Sequence, residues 1–509
     1  MFKWRLKFFF KVSAKTFLAV ALLFFLFLLF ERVRGQIAVA RYKRLLVSKG
    51  EKLTPKDIML SDAGENGAPE VFKLIRELKE GAAVPNSYPP MKALTPSGRA
   101  VIGFRETEWI DYKTTNNWRG LAADLKTNEA TLLKIRTALN SPVLNNRLDF
   151  NLGMKMNLMH EAPAKSLTKW FGASSQLALH NGQPHDTVDD VVQMIRLPRL
   201  LAEDRVAISE LVRIAIASIG ETAVWEALQT DGWTDDDLAK VQAAMQSQEF
   251  ALAMARSLEG ERVFSDVTYD LLRKSNDDTY RELSWIETFY QDEQEKAWFW
   301  EQIPGWNKVT AVFKKQIYCR IWRFAWSHQD QRRSLEQHQH LIEIARTAAS
   351  EKSSFSVQPT IDKLAVESIN KNWYDKLRYP QSILTLSKVM NRAMHAETER
   401  SMTLCAIALK RFSLRYGKFP KSLELLVPEF LQSVPVDYMD GKPVKYHPNP
   451  DGSFTLYSVG DDGKDDGGDA ALPPEKKGSN NLWNRKDFIW SGPASPEEVA
   501  VWRKESARN

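Results

Sequence analysis

Apolar and polar positions divide the chain into stretches of different period. Residues 16-TFLAVALLFFLFLLF-30 are apolar apart from Thr16, with no polar face. Such a run predicts a helix for an apolar solvent. Fifteen residues fall short of the roughly 20 that cross a bilayer, but Val12 to Ala14 extend the run and Lys15 can snorkel its ammonium to the interface. From Arg34 to Leu53 the spacing turns amphipathic, so the helix should continue until Thr54-Pro55 breaks it. Glu80 to Arg99, rich in Gly, Pro, Asn and Ser, predicts irregular connection. Leu121 to Leu139 return to helical spacing. Then 148-LDFNLGMKMNL-158 alternates Leu148, Phe150, Leu152, Met154, Met156 and Leu158 with polar or glycine positions, a period of two that predicts a strand or a long extended segment.

From Thr187 to about Ala348 the period is 3.6. Val188, Val191, Val192 and Ile195 form one helix face, which Pro198 should stop or kink near Leu197. Ile208, Leu211, Val212, Ala215 and Ile219 form a second, with Gly220 as its expected end. Thr234 with Asp237 three residues later has the form of a helix N-cap. The aromatics Trp285, Phe289, Tyr290, Trp298, Phe299, Trp300, Trp306, Trp322 and Trp326 crowd one stretch. Large aromatics dominate ordinary cores, so packing is the expectation, with a glycan-binding or bilayer-surface strip as the rival. The polar segment 349-ASEKSSFSVQP-359 predicts a linker.

Charge sharpens this picture. Met1 to Gly50 carry eleven Lys/Arg and one Glu, whereas the other 459 residues carry 59 basic and 63 acidic groups. The net +6 therefore belongs to the flanks of the apolar run, and a nucleic-acid partner is not expected, because its phosphates need cations on the folded body. An uncleaved signal anchor is the reading, with the amino terminus inside and the larger part exported, in a bacterial inner membrane with a periplasmic body. A cleaved signal peptide is the rival, since Ala38-Val39-Ala40 has a small-x-small form. That site lies well beyond Phe30, past Glu31, Arg32 and Arg34. Cys319 and Cys405, the two cysteines, lie far apart in helical patterns and read as buried thiols, with pairing in an oxidising compartment as the other possibility.

The familiar catalytic signatures H-E-x-x-H, G-x-S-x-G, the Walker loop and paired C-x-x-C are missing. Ser166 and Lys169 fit S-x-x-K without a K-T-G to complete it. His328, His338 and His340 cluster in 327-SHQDQRRSLEQHQH-340, yet His338 and His340 point about 200° apart on a helix. The stretch reads as a solvated face.

The last section is the most specific. A long helix from Ser382 to about Tyr416 ends at Gly417, and a short helix follows near Ser422, stopped at Pro428. Then 444-VKYH-447 and 454-FTLYSV-459 flank the turn 448-PNPDG-452, a hairpin pattern. Five aspartates and four glycines occupy Gly460 to Asp469 directly after it. The landmarks Tyr416-Gly417-x-x-Pro420, Leu425-Leu426-Val427, Pro435-x-Asp437, Gly441-x-Pro443-x-x-Tyr446, Ser458-x-Gly460-x-Asp462-Gly463 and 487-DFIW-490 together resemble the globular head of the type II secretion major pseudopilins. The resemblance implies a closing loop that binds calcium, with Asp462 at the matching position and a second carboxylate at Asp465, Asp466, Asp469 or Asp487. Calcium takes six to eight oxygens and tolerates irregular loops. A solvated acidic turn is the bland counterpart. No pseudopilin processing site is visible, and roughly 350 residues separate Phe30 from this module.

The expectation is a mainly α protein with an N-terminal transmembrane helix, a helical-hairpin body and a small C-terminal α+β pilin-like module. Its parts are a basic tail and anchor at 1–33, a juxtamembrane helix and connection at 34–120, a helical body at 121–348, a linker and short helix at 349–381, the pseudopilin-like module at 382–490 and a tail at 491–509. A membrane-anchored envelope binding or scaffolding protein, with calcium as ion and an envelope or secretion-system protein as partner, is the functional expectation. Its rival is an exported hydrolase using acids such as Asp189, Asp190 or Glu210 in the helical body.

Overall fold

The computed structural model describes residues 2–59, 64–81, 84, 93–95, 98–110, 115–289, 311–369, 380–476, 479 and 481–506. The apolar run and the amphipathic stretch after it form one helix, α1 (Phe2–Ser48), followed by α2 (Pro55–Ile58) with Thr54 and Asp57 forming its capping box. After α3 (Ala68–Glu77) come two-residue antiparallel ladders, β1 (Ala93–Leu94) with β2 (Ala100–Val101) and β3 (Trp109–Ile110) with β4 (Thr115–Asn116). Helices α4 (Trp118–Leu139), α5 (Glu161–His180), α6 (Val188–Arg196), α7 (Ala207–Leu228) and α8 (Asp235–Gln246) then bury Leu121, Phe171, Ile195, Ile216, Trp225 and Met245 in the largest core.

The long pair α9 (Ala251–Lys274) and α13 (Ser327–Glu351) packs beside α1. Between them lie α10 (Asn276–Phe289), α11 (311–313) and α12 (Cys319–Ile321), with π-helical turns at Lys314–Tyr318 and Trp322–Trp326 that keep 311–351 helical throughout. Helix α14 (Gln358–Ile369) leads to α15 (Pro380–Tyr416), which Gly417 ends with a φ of +73°. That left-handed conformation suits glycine. The hairpin β5 (Lys445–Pro448) and β6 (Phe454–Ser458) follows, and β7 (Phe488–Ile489) adds to it antiparallel with Ser458 opposite Phe488. Leu409, Leu426, Phe430, Leu456, Val459 and Phe488 make the core of this section. Helix α16 (Pro496–Ser506) closes the chain.

Several expectations need correction. Residues 148–158 form no strand: Asp149 caps a 3-10 turn, Phe150–Lys155, kinked at Gly153, where φ is +48°. The alternation arises because this segment lies along α9, with Phe150 packed against Ile58, Val206 and Val263, and Leu152 exposed. A β-carbon on Gly153 would come within 2.9 Å of Thr268 Oγ1, so the close approach itself uses the glycine. Gly220 does not end α7, because Ala223, Val224, Trp225 and Ala227 continue the buried surface to Leu228. Ile208 is exposed, while Ser209, Glu210, Arg213, Ile216 and Gly220 face inward. The helix is buried around most of its circumference, so no single apolar stripe marks its inner side. Pro198 acts as expected: α6 stops at Arg196 and a 3-10 turn, Leu197–Leu201, takes over.

The supposed linker is packed. Residues 349–351 complete α13, Lys352 caps it in the left-handed region, and the amides of Ser354 and Phe355 donate to the carbonyls of Tyr438 (2.8 Å) and Met439 (3.2 Å). The supposed tail also returns to the body: the Ala100 amide donates to Gly492 O at 2.9 Å and Trp225 Nε1 to Ser491 O at 2.8 Å. Of the aromatic strip, Trp322 is fully buried against Tyr269 and Leu272, as core packing requires. Tyr290, Trp298, Phe299, Trp300 and Trp306 lie outside the described residues. Both cysteines are buried and no disulfide joins them.

Glutamates from neighbouring helices cap three helical starts. Glu397 of α15 accepts from the amides of Phe250 (2.7 Å) and Ala251 (3.1 Å), where α9 begins. Glu261 accepts from Ala207 at the start of α7, and Glu226 accepts twice from Gly103 at the start of a 3-10 turn. The residues at the N-cap positions are Phe250, Val206 and Ile102, which offer no side-chain acceptor. Orphan amides at a buried helix start need one from elsewhere.

Candidate functional site

The acidic loop is held by a carboxylate outside it. Asp487, fully buried beside β7, accepts from the amides of Gly468 (2.7 Å), Asp469 (3.1 Å) and Asp466 (3.4 Å). Asp437, also fully buried, accepts from the amides of Val459 and Met439 at 3.0 Å and from the Thr398 hydroxyl at 3.3 Å. The four proposed calcium ligands turn elsewhere. Asp462 accepts from the Lys464 amide, and Asp465 accepts from the Tyr457 hydroxyl and the Gly467 amide. Asp469 pairs with Lys486 Nζ at 2.7 Å, which holds its carboxyl below the ordinary carboxylate range. Asp466 contributes its amide to Asp487.

Three of these four carboxylates are thus engaged within the protein, Asp469 by an ammonium and Asp462 and Asp465 by amides of their own turns. Among the described residues, no group of three or more His, Cys, Asp or Glu is placed to hold a metal. Asp461 points to α15, where His395 Nε2 meets it at 2.6 Å and the His395 ring stacks on Trp483 at 3.6 Å. Trp483 Nε1 donates to Glu399 at 2.7 Å. Glu221 of α7 lies against Glu399, and burial together with that neighbouring carboxylate pushes the Glu221 carboxyl well up.

The catalytic candidates of the body stay apart. Asp189 is exposed, Asp190 is paired with Arg136, and Glu210 with Arg213 at 2.9 Å. Ser166 and Lys169 sit half-buried on α5. His338 is buried and donates from Nδ1 to Ser334 O, burial holding it down to about 4, while His340 faces solvent. The surrounding stretch is not a solvated face. Ser327, Asp330, Gln331, Ser334, His338 and Gln339 are all buried against α9 and α1. Uncharged polar residues at three- and four-residue spacing carried that signal, since the charged Arg332, Arg333 and Glu336 fall on other positions.

That polar seam clamps the anchor helix. Gly35 allows it to start: a β-carbon there would lie 2.6 Å from Gln329 Oε1 and 2.9 Å from the His328 β-carbon. Gln329 Nε2 donates to the Glu31 carbonyl at 2.6 Å and its carboxylate at 3.1 Å. Lys43 pairs with Asp266 at 2.6 Å, and Gln331 donates to the same carboxylate. Just past the helix end, Glu51 accepts from Nη1 and Nη2 of Arg346 (2.6 and 3.0 Å), from Arg262 Nη2 (3.1 Å) and from Gln339 Nε2 (3.0 Å). Burial alone would raise the Glu51 carboxyl, but the hydrogen bonds from Arg346 and Gln339 and the charge of Arg262 outweigh it and hold it at about 2. Arg262 is fully buried and also donates to Lys52 O at 2.7 Å.

On the other side of Glu31, α1 changes character. Phe17, Leu18 and Leu23 are 74%, 72% and 67% exposed, and the helix from Lys15 to Ser48 is long and apolar enough to cross a membrane. A core helix would bury those side chains. Comparison of the chain with protein-family models, with curated proteins and with solved structures gives no match.

Proposed function

We propose that this protein is a single-pass membrane scaffold that holds its helical body, and the three-stranded section joined to it, in a fixed pose at the membrane surface. The observation that carries this reading is the unbroken passage of α1 from its exposed apolar half into the Glu31, Lys43 and Glu51 clamp. A protein that needed only a tether would use a flexible linker, which costs little. The basic residues before the run favour an amino terminus inside and a body outside, hence a bacterial inner membrane and periplasm. Val39, inside the small-x-small stretch, is buried against the body, which favours retention of the anchor over cleavage.

The helix, hairpin and closing strand of 382–490 support a pseudopilin-like head, and an envelope or secretion-apparatus protein is the partner class that such a head would meet. Asp190 and Glu210 are each paired with an arginine, which favours the scaffold over the hydrolase reading. Alkaline extraction of membranes, with protease added to spheroplasts, tests the proposal. The full-length chain should stay with the membrane and lose its body only to outside protease. A soluble product starting after Ala40 would overturn it. Crosslinking in intact cells then identifies the partner.

A further inference from the structure

We propose that the outer face of the helical stretch 311–326 is a second bilayer contact, lying in the interfacial layer beside α1 with its apolar side chains among acyl chains and its basic ones at anionic headgroups. The inference rests on the reading of α1 as a membrane span.

Depth is the first argument. Phe324 stacks on Phe25 with centroids 6.1 Å apart, and Arg32 lies over the same ring at 5.0 Å while donating to the Phe324 carbonyl. Phe25 sits five residues inside the end of the apolar run, about 8 Å at 1.5 Å per residue. Because α13 runs parallel to α1, with Gln329 beside Glu31 and Arg346 beside Glu51, the helical extension back from Ser327 heads toward the bilayer. The inner face of this extension is already used: Cys319 and Trp322 are buried with Tyr269 and Leu272, and the Lys315 carbonyl accepts from Asn276.

The outer face is the second argument. Val312, Phe313 and Ile317 are 62%, 57% and 47% exposed, with Phe313 and Ile317 one turn apart and the exposed Arg320 a further turn on. Residues 311–326 contain four basic residues and no acidic one; Lys315 pairs with Asp277 at 2.9 Å and Arg323 donates to the Arg273 carbonyl, while Arg320 lies on the outer face. Four charges argue against a full span, whereas an apolar face flanked by Lys and Arg fits the interfacial layer of an anionic membrane. The stretch adjoins α1 at Phe324, which stacks on Phe25 within the apolar run.

The test uses the full chain in lipid nanodiscs, with a fluorophore on Phe313→Cys and nitroxide-labelled acyl chains as quencher. Leu23→Cys reports the anchor, and Leu425→Cys, exposed in the C-terminal section, reports solvent. Quenching at positions 23 and 313 but not at 425, stronger at 313 in anionic than in zwitterionic discs, is the expected result. Arg320→Gln should lower that preference for anionic lipid by about fivefold. Quenching at 23 without quenching at 313 would overturn the inference and leave the anchor standing. Absence at both would overturn the anchor as well. Equal quenching in the two kinds of disc would remove the headgroup assignment, and Ile317→Cys, one turn away, repeats the measurement independently.

Discussion

Replacing Glu51 by alanine should detach the anchor helix from the body. The substitution leaves Arg262, fully buried, without the carboxylate that faces it at 3.1 Å, and removes two of the three hydrogen bonds that hold Arg346. Breaking a buried ion pair from one side typically costs about 3–5 kcal/mol. The proton equilibrium leads to a similar figure, because lowering a carboxyl from 4.5 to about 2 corresponds to about 3 kcal/mol favouring the charged form in the fold. Arg262 keeps Lys52 O and Gln339, and Arg346 keeps Glu259 at 2.7 Å, so the lower end of the range is expected. Denaturant unfolding of the full chain in detergent should show a loss of about 3 kcal/mol. Hydrogen exchange should show lost protection from Gly35 to Ser48. The folded pKa is depressed, so the stabilisation is complete above the unfolded value of 4.5 and disappears as pH falls toward 2; the alanine variant should lack that acid dependence. A loss below about 1 kcal/mol, the scale of an exposed pair, with unchanged exchange in α1, would refute the clamp.

Four further outcomes follow from the buried carboxylates and the loop. Glu397→Ala removes the acceptor for the Phe250 and Ala251 amides and should cost about 2–3 kcal/mol in unfolding experiments, while an exposed control such as Glu129→Ala should cost almost nothing. Burial pushes Glu226 up to about 8 despite the Gly103 amide, so its folded pKa is raised and its contribution, complete below 4.5, is lost as pH climbs through 8. Glu226→Gln should flatten the melting temperature across that window, and an unchanged pH profile would contradict the assignment. Asp487→Ala should lower the melting temperature and expose 466–469 to proteolysis by freeing three amides. Added calcium should leave the wild-type melt unchanged relative to magnesium at equal ionic strength; a rise of several degrees, lost in Asp462→Ala, would restore the cage.

The fold was most legible where one periodicity met one environment. Val188 to Ile195 on α6 enter one core and the strands around 448-PNPDG-452 pair as a hairpin, so their spacing translates directly into structure. The reading failed where the environment was mixed. At 148–158 inward residues alternate because the chain packs against α9, which local spacing cannot distinguish from pairing with a neighbouring strand. On α13, polarity suggested water, whereas Ser334 meets the Ser265 hydroxyl at 2.8 Å and Gln331 meets Asp266 inside the protein. Of the candidate site, Asp487 was visible as a possible loop carboxylate, but the partition of the other aspartates depended on Lys486 and Tyr457 arriving from elsewhere.

What the sequence determined alone is whatever depends on neighbours along the chain. The apolar run of α1, the caps at Thr54 and Thr234, the stop at Gly417 and the turn between β5 and β6 all follow from local hydration, side-chain reach and backbone freedom. Tertiary structure decided which polar groups lose water. Glu51 meets Arg346 across 295 positions, Glu397 caps a helix 147 positions away, and Asp487 holds a loop some 20 residues upstream. Each carboxylate is ordinary in sequence, and only the fold brings it the donors that make its burial affordable.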